Sequence, residues 1–350
     1  MHIFKNKLLL LLLWPLILVY STIIWLRNVA YNAGIFKTFN IDAKVISVGN
    51  ISAGGTGKTP ATVFLAEKLQ EKGFKVAILA RGYGRTSKGS KLVSEGSGPL
   101  CNVHEAGDEP YLMAQKTKGI PIFVDENRVN GAEILVQKFT PDVILLDDGF
   151  QHRRLARNFD IVLIDAESSL KNQLLLPAVP NRESLHSLKR ANLVYMVCGV
   201  NSKQQYIESQ VSTLKKFTSA NIFQCTKEAT GLIEAVMKTR YPNSALMNKK
   251  IFALAGIGNP QNFVDQLISL GAHIEGFHKK SDHYKYDQNL IQKLLLEFEN
   301  SNAELFVTTE KDWVKLKDFP ILNKTPIRLF EITFSAPETS IDIIIECLRQ

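Results

Sequence analysis

The sequence predicts an α/β fold: a mostly parallel sheet flanked by helices, with a second, smaller α/β lobe and an N-terminal apolar helix. Three observations lead to this prediction. Apolar, β-branched runs alternate with helical patterns from Lys44 onward. A glycine-rich segment, residues 48–60, joins the first such strand to the first such helix. An uncharged apolar run of membrane length, Leu8 to Leu26, precedes both.

The apolar run predicts a membrane-anchoring helix within residues 1–36. As a helix, Leu8 to Leu26 would be about 28 Å long, close to the hydrocarbon thickness of a bilayer. Trp14, Tyr20 and Trp25 are aromatic residues of the kind found at membrane interfaces. A cleaved signal peptide would have a shorter apolar region, and it would carry a nucleotide site out of the cell. Whether the helix spans the bilayer or lies in its surface stays open.

The glycine-rich segment predicts a phosphate-binding loop of the P-loop NTPase type. The strand Lys44 to Val48 enters it and a helix with one apolar face leaves it, which is the setting that such a loop requires. Glycines let backbone N–H groups surround phosphate oxygens, a lysine reaches the terminal phosphates, and a hydroxyl ligates Mg²⁺. We expect the nucleotide to be bound by Ser52, Ala53, Gly54, Gly55, Thr56, Gly57, Lys58 and Thr59.

Two positions of this loop depart from common patterns. Ser52 stands where the strict pattern has glycine. Ala53 stands where the ParA-like ATPases carry a lysine, which argues against that class.

The remaining chain divides into two predicted units. The strands predicted in the first unit are Val45–Val48, Val76–Ala80, Pro121–Val124, Val143–Leu146, Ile161–Ile164 and Leu193–Val197. Their alternation with helices predicts a P-loop domain over residues 37–240. A polar stretch from Thr226 to Lys250 interrupts the alternation, and a second series begins at Ile251. We therefore expect a C-terminal α/β lobe over residues 241–350.

A pair of aspartates predicts a magnesium site. Asp147 and Asp148 follow the strand Val143–Leu146, where a carboxylate that holds Mg²⁺ or its waters lies in P-loop proteins. Adjacent carboxylates are costly at the end of a buried strand unless a cation offsets their charge. A solvated turn is the alternative. Gln151 and His152 would follow on the same loop, near the phosphates.

Other polar motifs allow both a structural and a functional interpretation. Residues 107–110, Gly-Asp-Glu-Pro, either cap a helix or place Asp108 in the nucleotide cleft. Residues 81–85 form a basic surface turn or contact phosphate through Arg81. Arg182 and Glu183 read alone as an ion pair in a loop. Asp282 and His283 matter for catalysis only if the histidine folds back toward the phosphates.

Composition favours anionic partners. The 350 residues include 42 Lys and Arg against 34 Asp and Glu, a net charge of +8, which suits nucleotides, phosphorylated substrates or an acidic membrane surface. The basic residues are scattered and no nucleic-acid module is recognisable, so we expect no nucleic-acid partner. The four cysteines are far apart in sequence and predict reduced thiols rather than a disulfide or a metal centre.

Taken together, the motifs resemble those of the tetraacyldisaccharide 4′-kinases of lipid A biosynthesis over nearly the whole chain. The matching segments, in the family's order, are VGNISAGGTGKTP (48–60), RGYGR (81–85), GDEP (107–110), DDGFQHRRL (147–155), LLPAVPNRE (175–183), AGIGNP (255–260), DHY (282–284) and TEKD (309–312). Residues 168–173 replace a glycine-rich stretch of the family, and Val179 and Asn181 stand where Gly and Leu are usual. These departures concern loop shape and acyl-chain preference more than the reaction.

The resemblance implies a lipid kinase that uses ATP and Mg²⁺. It would transfer the γ-phosphoryl group to the 4′-hydroxyl of a membrane-embedded tetraacyl glucosamine disaccharide 1-phosphate, giving lipid IV-A. The catalytic domains would lie on the cytoplasmic side of the inner membrane of a Gram-negative bacterium. Hydroxyl and nucleotide would meet when the C-terminal lobe closes on the nucleotide.

The resemblance also implies roles for single residues. Asp108 would be the general base, oriented or tuned by His283, while Lys58 would stabilise charge on the γ-phosphoryl group. Mg²⁺ would be held by Thr59, Asp147, Asp148 and Glu183. Asn259 would contact the nucleotide. The residues expected to contact the substrate are Arg81, Arg128, Gln151, His152 and Arg182.

A different class of function fits the anchor and the loop alone. A membrane-tethered P-loop ATPase acting as a switch or metallochaperone would need both features and no lipid acceptor. It would predict nucleotide-dependent dimerisation. A nonenzymatic nucleotide sensor is disfavoured by the potential base at Asp108.

Overall fold

The computed structural model describes residues 7–170, 174–199 and 202–350, with side chains from residue 12 onward. Residues 171–173 of the segment that departs from the family pattern lie outside the described residues. The fold is α/β with a mostly parallel sheet, as predicted. Its helices are α1 (Lys7–Asn32), α2 (Lys58–Glu71), α3 (Val103–Ala106), α4 (Asp108–Lys116), α5 (Arg128–Phe139), α6 (Gln204–Leu214), α7 (Pro260–Ser269), α8 (Gln288–Glu299), α9 (Glu310–Leu316) and α10 (Glu338–Arg349).

The strands of the described residues form one sheet. They are β1 (Lys44–Asn50), β2 (Val76–Ala80), β3 (Lys91–Ser94), β4 (Ile122–Val124), β5 (Val143–Asp147), β6 (Phe159–Asp165), β7 (Leu193–Cys198), β8 (Asn221–Glu234), β9 (Arg240–Tyr241), β10 (Lys250–Ala255), β11 (His273–Lys279), β12 (Leu305–Thr309) and β13 (Ile327–Ser335). The order across the sheet is β11-β10-β12-β13-β8-β7-β6-β1-β5-β2-β4-β3, and β9 pairs with β8.

Strand β1 lies near the centre of the sheet, between β5 and β6, and pairs with both in parallel. In this register Val48 lies opposite Asp147. Because the carboxyl ends of parallel strands meet at one edge, the loop after β1 and the aspartates after β5 are neighbours. The sheet therefore brings the predicted phosphate-binding loop and the predicted magnesium site together.

Strand β8 differs from the sequence prediction, which made the polar stretch from Thr226 an interruption. The strand runs through residue 234, pairs in parallel with β7 and antiparallel with β13, and so joins the two predicted units into a single sheet. Its side chains are mostly half-buried or exposed, which explains the polar sequence of a strand. The division of the chain at residue 240 stays a prediction.

The final helix returns to the N-terminal part of the chain. Ile341 and Ile344 of α10 are fully buried in the same apolar cluster as Ile46 of β1 and Leu65 of α2. This packing holds α2, the helix that follows the phosphate-binding loop, against the sheet. The C-terminal residues thus stabilise the N-terminal core.

Helix α1 is exposed along most of its apolar length. Residues Leu12–Asn32 are long and apolar enough to cross a membrane, and 6% of the most apolar window is buried within the protein. Trp14, Trp25 and Leu26 expose about half or more of their surface. Exposed apolar area on this scale in a single helix indicates a non-aqueous contact surface.

Candidate active site

The phosphate-binding loop, residues 52–59, has the backbone form that its sequence predicts. Gly57, with φ 92°, precedes the first turn of α2, and Gly54 has φ 129°. Only glycine adopts such angles without strain. Asn50 donates its side-chain N–H to the Thr56 hydroxyl over 3.0 Å, and this buried bond ties the loop to β1. The loop N–H groups and the N-terminus of α2 therefore lie where phosphate oxygens bind in P-loop proteins.

Lys58 lies across the mouth of the loop. Its Nζ is 3.5 Å from the Gly54 carbonyl and 3.6 Å from Asp148 Oδ1. The ammonium group is therefore placed between the loop and the aspartate pair, as the γ-phosphate contact requires.

The beginning of the loop contacts the 175–183 segment. The Ala53 N–H donates to the Pro180 carbonyl over 2.5 Å, and Ser52 forms an antiparallel bridge with Asn181. Ser52, which departs from the strict P-loop pattern, and Asn181, which departs from the family pattern, are thus direct neighbours. A large cavity adjoins the loop, and the loop residues that line it begin at Gly54.

The C-terminal part of the chain reaches the loop through Gly258. A Cβ atom on Gly258 would collide with the backbone nitrogen of Gly55, so only glycine permits this approach. Asn259, the next residue, caps α7 by accepting the Asn262 N–H over 3.2 Å. The predicted nucleotide contact at Asn259 therefore lies beside the phosphate-binding loop.

Asp147 and Asp148 lie at the carboxyl end of β5, in different electrostatic surroundings. Asp147 is buried and accepts a hydrogen bond from the Thr62 hydroxyl over 3.0 Å. Burial, with the charges of Glu109 and Asp148, raises the pKa of Asp147 to about 7. Burial would also raise the pKa of Asp148, but Lys58 and Arg182 hold it below its ordinary value.

Asp108 and His283 meet from distant parts of the chain. Asp108 is the first residue of α4, after Gly107, whose φ of 89° turns the chain into the helix. Both oxygens of Asp108 lie 3.0 Å from His283 Nδ1. The imidazole packs against the Tyr83 ring at 4.9 Å between centroids. His283 lines the cavity, whereas Asp108 is 7% exposed and lies behind the ring.

This pair, hereafter the Asp108–His283 dyad, has mutually dependent pKa values. Burial opposes ionisation of Asp108, but the His283 hydrogen bond and the charges of Lys311 and Lys315 leave its pKa below the ordinary value. Burial likewise lowers the pKa of His283, and the Asp108 bond more than offsets this, so the pKa is raised. An ionised carboxylate can only accept, so Nδ1 carries the proton that binds Asp108. In the neutral ring the free lone pair is then on Nε2.

The dyad, the phosphate-binding loop and a group of basic and polar residues surround one cavity of about 1210 Å³. Its volume exceeds that of usual small-molecule sites, about 300–1,000 Å³. The predicted substrate and metal residues that line it are Thr59, Arg81, Arg128, Asp147, Asp148, Gln151, His152 and Arg182.

Comparisons with known proteins show which family the chain belongs to. A family model described as tetraacyldisaccharide-1-P 4′-kinase matches residues 9–349. The chain belongs to the tetraacyldisaccharide 4′-kinase family. Relatives of that name from Desulfotalea psychrophila and Syntrophus aciditrophicus are 35% identical over 309 residues and 37% identical over 314 residues. Each alignment covers 87% of this chain, with 88% and 84% of the respective relative.

A solved structure of a tetraacyldisaccharide 4′-kinase also resembles this one. The LpxK protein of Aquifex aeolicus, determined in complex with ATP, has a TM-score of 0.76 and 32% identity. The match covers 96% of this chain and 98% of that protein. The family resemblance seen in the motifs and the prediction of a kinase are thereby confirmed.

Within this kinase, two predicted substrate residues that line the cavity, Arg81 and Arg128, lie close enough for their charges to interact. Arg128 is 5% exposed, and burial together with the nearby Arg81 lowers its pKa to about 10. Burial and Arg128 lower the pKa of His152 to about 4, so this ring is neutral. Gln151 donates to the Asn50 carbonyl over 2.8 Å, which fixes its amide beside β1.

Arg182, another predicted substrate residue, pairs with Asp148. Its guanidinium donates to both Asp148 oxygens, over 2.8 and 3.0 Å. The backbone carbonyl of Arg182 accepts from the Tyr20 hydroxyl of α1 over 3.1 Å. Helix α1 therefore contacts the segment that pairs with Asp148.

Glu183 differs from its predicted role as a metal ligand. Its buried carboxylate pairs with Arg190 at 2.9 Å and Arg27 at 3.3 Å, and it accepts from the Asn28 amide over 3.1 Å. Both arginines pair with the carboxylate and its Oε2 accepts two hydrogen bonds, so Glu183 holds the end of α1 against the kinase core. In the described residues, no group of three or more His, Cys, Asp or Glu side chains could hold a metal ion.

Two lysines at the cavity were missed by the sequence reasoning. Lys227 of β8 lays its aliphatic stem on Gly57, and burial lowers its pKa. A single lysine in a polar stretch gives no signal of this position. Lys311 belongs to the TEKD segment, which is one of the family motifs but had no role attached to it. That segment, with two acids around a lysine, was the available signal.

Proposed function

We propose that this kinase transfers the γ-phosphoryl group of ATP to the 4′-hydroxyl of a tetraacyl glucosamine disaccharide 1-phosphate, giving lipid IV-A. The observation that carries the proposal is the shared cavity. It holds a phosphate-binding loop and, across from it, a histidine held by a buried aspartate. A hydrolytic switch needs the loop alone, whereas transfer to an alcohol benefits from a base for the hydroxyl proton.

The loop and Lys58 would stabilise charge on the phosphates. In a loose phosphoryl-transfer transition state the charge is spread over the γ-oxygens, so positioning and electrostatic stabilisation supply most of the catalysis. The Asn50–Thr56 bond holds the loop beside β1, and the ammonium of Lys58 lies 3.5 Å from the Gly54 carbonyl. Gly258 would complete the enclosure from the C-terminal part of the chain.

We propose Thr59, Asp147 and Asp148 as the residues that hold Mg²⁺ or its waters. Asp147 fits this role because burial raises its pKa to about 7, and a nearby cation would restore ionisation. Few protein ligands suffice, since Mg²⁺ in kinases binds one or two carboxylates, phosphate oxygens and waters. When bound, the ion would neutralise charge on the phosphates. Glu183 is left out of this set because its carboxylate is already paired.

The electrostatics favour His283, rather than Asp108, as the acceptor of the hydroxyl proton. A carboxylate whose pKa is held low is a weak base, and Asp108 is buried behind the ring. His283 faces the cavity, and its raised pKa lies closer to the range in which a general base is effective. We therefore propose that Nε2 takes the proton while Asp108 orients the ring and stabilises its cationic form. This reverses the roles expected from the sequence.

The arginines that line the cavity would bind the acceptor. The charge of Arg81 acts on Arg128, and the substrate's 1-phosphate or sugar supplies suitable acceptors for both. Gln151, His152 and Arg182 would complete this surface.

We place the enzyme on the cytoplasmic face of the inner membrane of a Gram-negative bacterium. The exposed apolar face of α1 would enter the lipid, and the net charge of +8 suits an acidic membrane surface rather than a specific nucleic-acid site. The substrate keeps its acyl chains in the bilayer, so an anchored enzyme meets it in two dimensions.

A single assay tests the proposal. Detergent-solubilised protein is incubated with γ-labelled ATP, Mg²⁺ and the tetraacyl disaccharide 1-phosphate, and the label is separated into lipid and inorganic phosphate. We expect labelled lipid that depends on the acceptor. Label found only in inorganic phosphate would contradict the kinase proposal and favour the membrane-tethered ATPase.

A further inference from the structure

Lys311 connects the two segments that carry the dyad. Its Nζ lies 2.7 Å from Glu109 Oε1 and 2.9 Å from Asp282 Oδ1. Glu109 follows Asp108 in α4, and Asp282 precedes His283. One ammonium group therefore bonds to the immediate neighbour of each dyad member.

The position of Lys311 is itself fixed. It is the second residue of α9, whose start is capped by Thr309 accepting from the Asp312 N–H over 3.0 Å. Asp312, fully buried, also accepts from the Gly256 N–H over 2.9 Å and the Tyr286 hydroxyl over 2.8 Å. The same helix thus holds the chain on either side of the His283 turn. Because these bonds hold α9 in place, they also fix the position from which Lys311 reaches Glu109 and Asp282.

The bridge is shielded from water. The Lys311 side chain is 16% exposed, and its partners Glu109 and Asp282 are 28% and 29% exposed. Burial would lower the pKa of Lys311, but Glu109, Asp108 and Asp282 raise it, so the group stays charged. Charge-assisted bonds in such surroundings are stronger than exposed ion pairs, and loss of one partner leaves the others uncompensated.

We propose that Lys311 is a positioning residue, which clamps the Asp282–His283 turn to α4 and thereby holds the imidazole on Asp108. The inference rests on the proposed kinase function. Without the clamp, the turn would be held at α4 by the hydrogen bonds of the imidazole to Asp108. The ring would then sample positions in which Nε2 points away from the acceptor hydroxyl, and small misplacements of a reacting group are costly.

A matched control exists on the same pair of helices. Lys116 of α4 and Glu310 of α9 form an ion pair at 2.6 Å. This pair also joins α4 to α9, but neither residue adjoins a dyad member. Removing the Lys116 pair or the Lys311 pairs would weaken the packing of α4 on α9. Only the removal of Lys311 would also disturb the geometry of the dyad.

The test measures lipid labelling by Lys311→Met, Lys116→Met and Lys311→Arg, each in the wild-type and the His283→Ala background. In the wild-type background we expect Lys311→Met to lower kcat by about tenfold to a hundredfold and to leave the KM for ATP within about threefold. Lys116→Met should change kcat by less than about threefold, and Lys311→Arg should recover most of the loss. In the His283→Ala background, Lys311→Met should cost less than about twofold, because the residue that it positions is gone.

Equal losses in both backgrounds, or a loss for Lys116→Met as large as for Lys311→Met, would overturn the proposal. ATP binding and the thermal midpoint report whether each variant is folded. If Lys311→Met does not fold, Asp282→Asn removes one arm of the bridge and is tested against the same backgrounds. The wild type alone shows whether lipid is labelled, so failure of the kinase function is distinguished from failure of the clamp.

Discussion

In the phosphate-binding loop, residues 54–59 come from one stretch of chain, whereas Asp108 and His283 meet across 175 positions. The loop is held by its own strand and helix and by the bond from Asn50 to Thr56, and Gly258 packs against it. The dyad depends on two carboxylates, a lysine and the packing of α9. Damage to the loop should therefore affect phosphate handling alone, while the dyad should be sensitive to substitutions that lie outside it.

The largest expected effect is at the loop. Lys58→Ala removes the side-chain cation that lies between the loop and the aspartate pair. Charge on the transferred group then lacks its nearest counter-ion, and kcat should fall by about 10³-fold. Steady-state lipid labelling at saturating ATP measures this. A kcat within tenfold of the wild type would show that the loop amides and the metal suffice.

The second prediction concerns the dyad and its pH dependence. His283 must be unprotonated to accept a proton, so kcat/KM should fall as pH decreases through its raised pKa, above the ordinary value of about 6.5. Asp108→Asn removes the charge that raises this pKa and leaves only a weaker, neutral hydrogen bond to Nδ1. The acid limb should then move to lower pH, and kcat should fall by about 10²- to 10³-fold.

The wild-type pH profile distinguishes the two dyad assignments. The pKa of Asp108 lies below its ordinary value of about 3.9, so a wild-type profile that stays flat down to about pH 5 would restore Asp108 as the proton acceptor. Wild-type and variant profiles are measured at saturating ATP in the same buffers.

These contrasts explain what the sequence could predict. The phosphate-binding loop could be predicted because a strand, glycines and a helix follow one another in the sequence. Asp147 could be predicted because it ends a buried strand, and parallel pairing of that strand with β1 brings it to the loop. The role of His283 came only from the family resemblance, because an isolated Asp-His pair carries no signal of a partner 175 positions away.

The strand β8 and the surroundings of Glu183 depend on tertiary contacts that no local sequence pattern encodes. β8 was missed because a strand with mostly half-exposed or exposed side chains has a polar sequence. Glu183 was taken for a metal ligand because its arginine partners come from α1 and from residue 190. In both cases the deciding contacts are made by segments that are separate in the sequence.

A third, smaller effect tests whether the loop is as self-contained as its sequence indicates. In Gly258→Ala the new methyl group collides with Gly55, so the 255–260 segment or the loop must shift. Overpacking of this kind costs about 1–3 kcal/mol, and we expect the KM for ATP to rise about tenfold with little change in kcat. Gln261→Ala, an exposed substitution at the start of α7, is the control. An unchanged KM in Gly258→Ala would mean that the segment yields freely.

The smallest expected effect concerns the contact between α1 and the backbone of Arg182. Tyr20→Phe removes the bond from α1 to the Arg182 carbonyl, whose side chain pairs with Asp148. A single hydrogen bond contributes about 0.5–1.5 kcal/mol, so kcat/KM should fall by about threefold. Tyr31→Phe keeps the ring that packs on Phe36 and should have no effect. If both variants match the wild type, α1 acts as an anchor only; a selective loss in Tyr20→Phe means that the anchor also helps to hold Arg182 at the phosphate site.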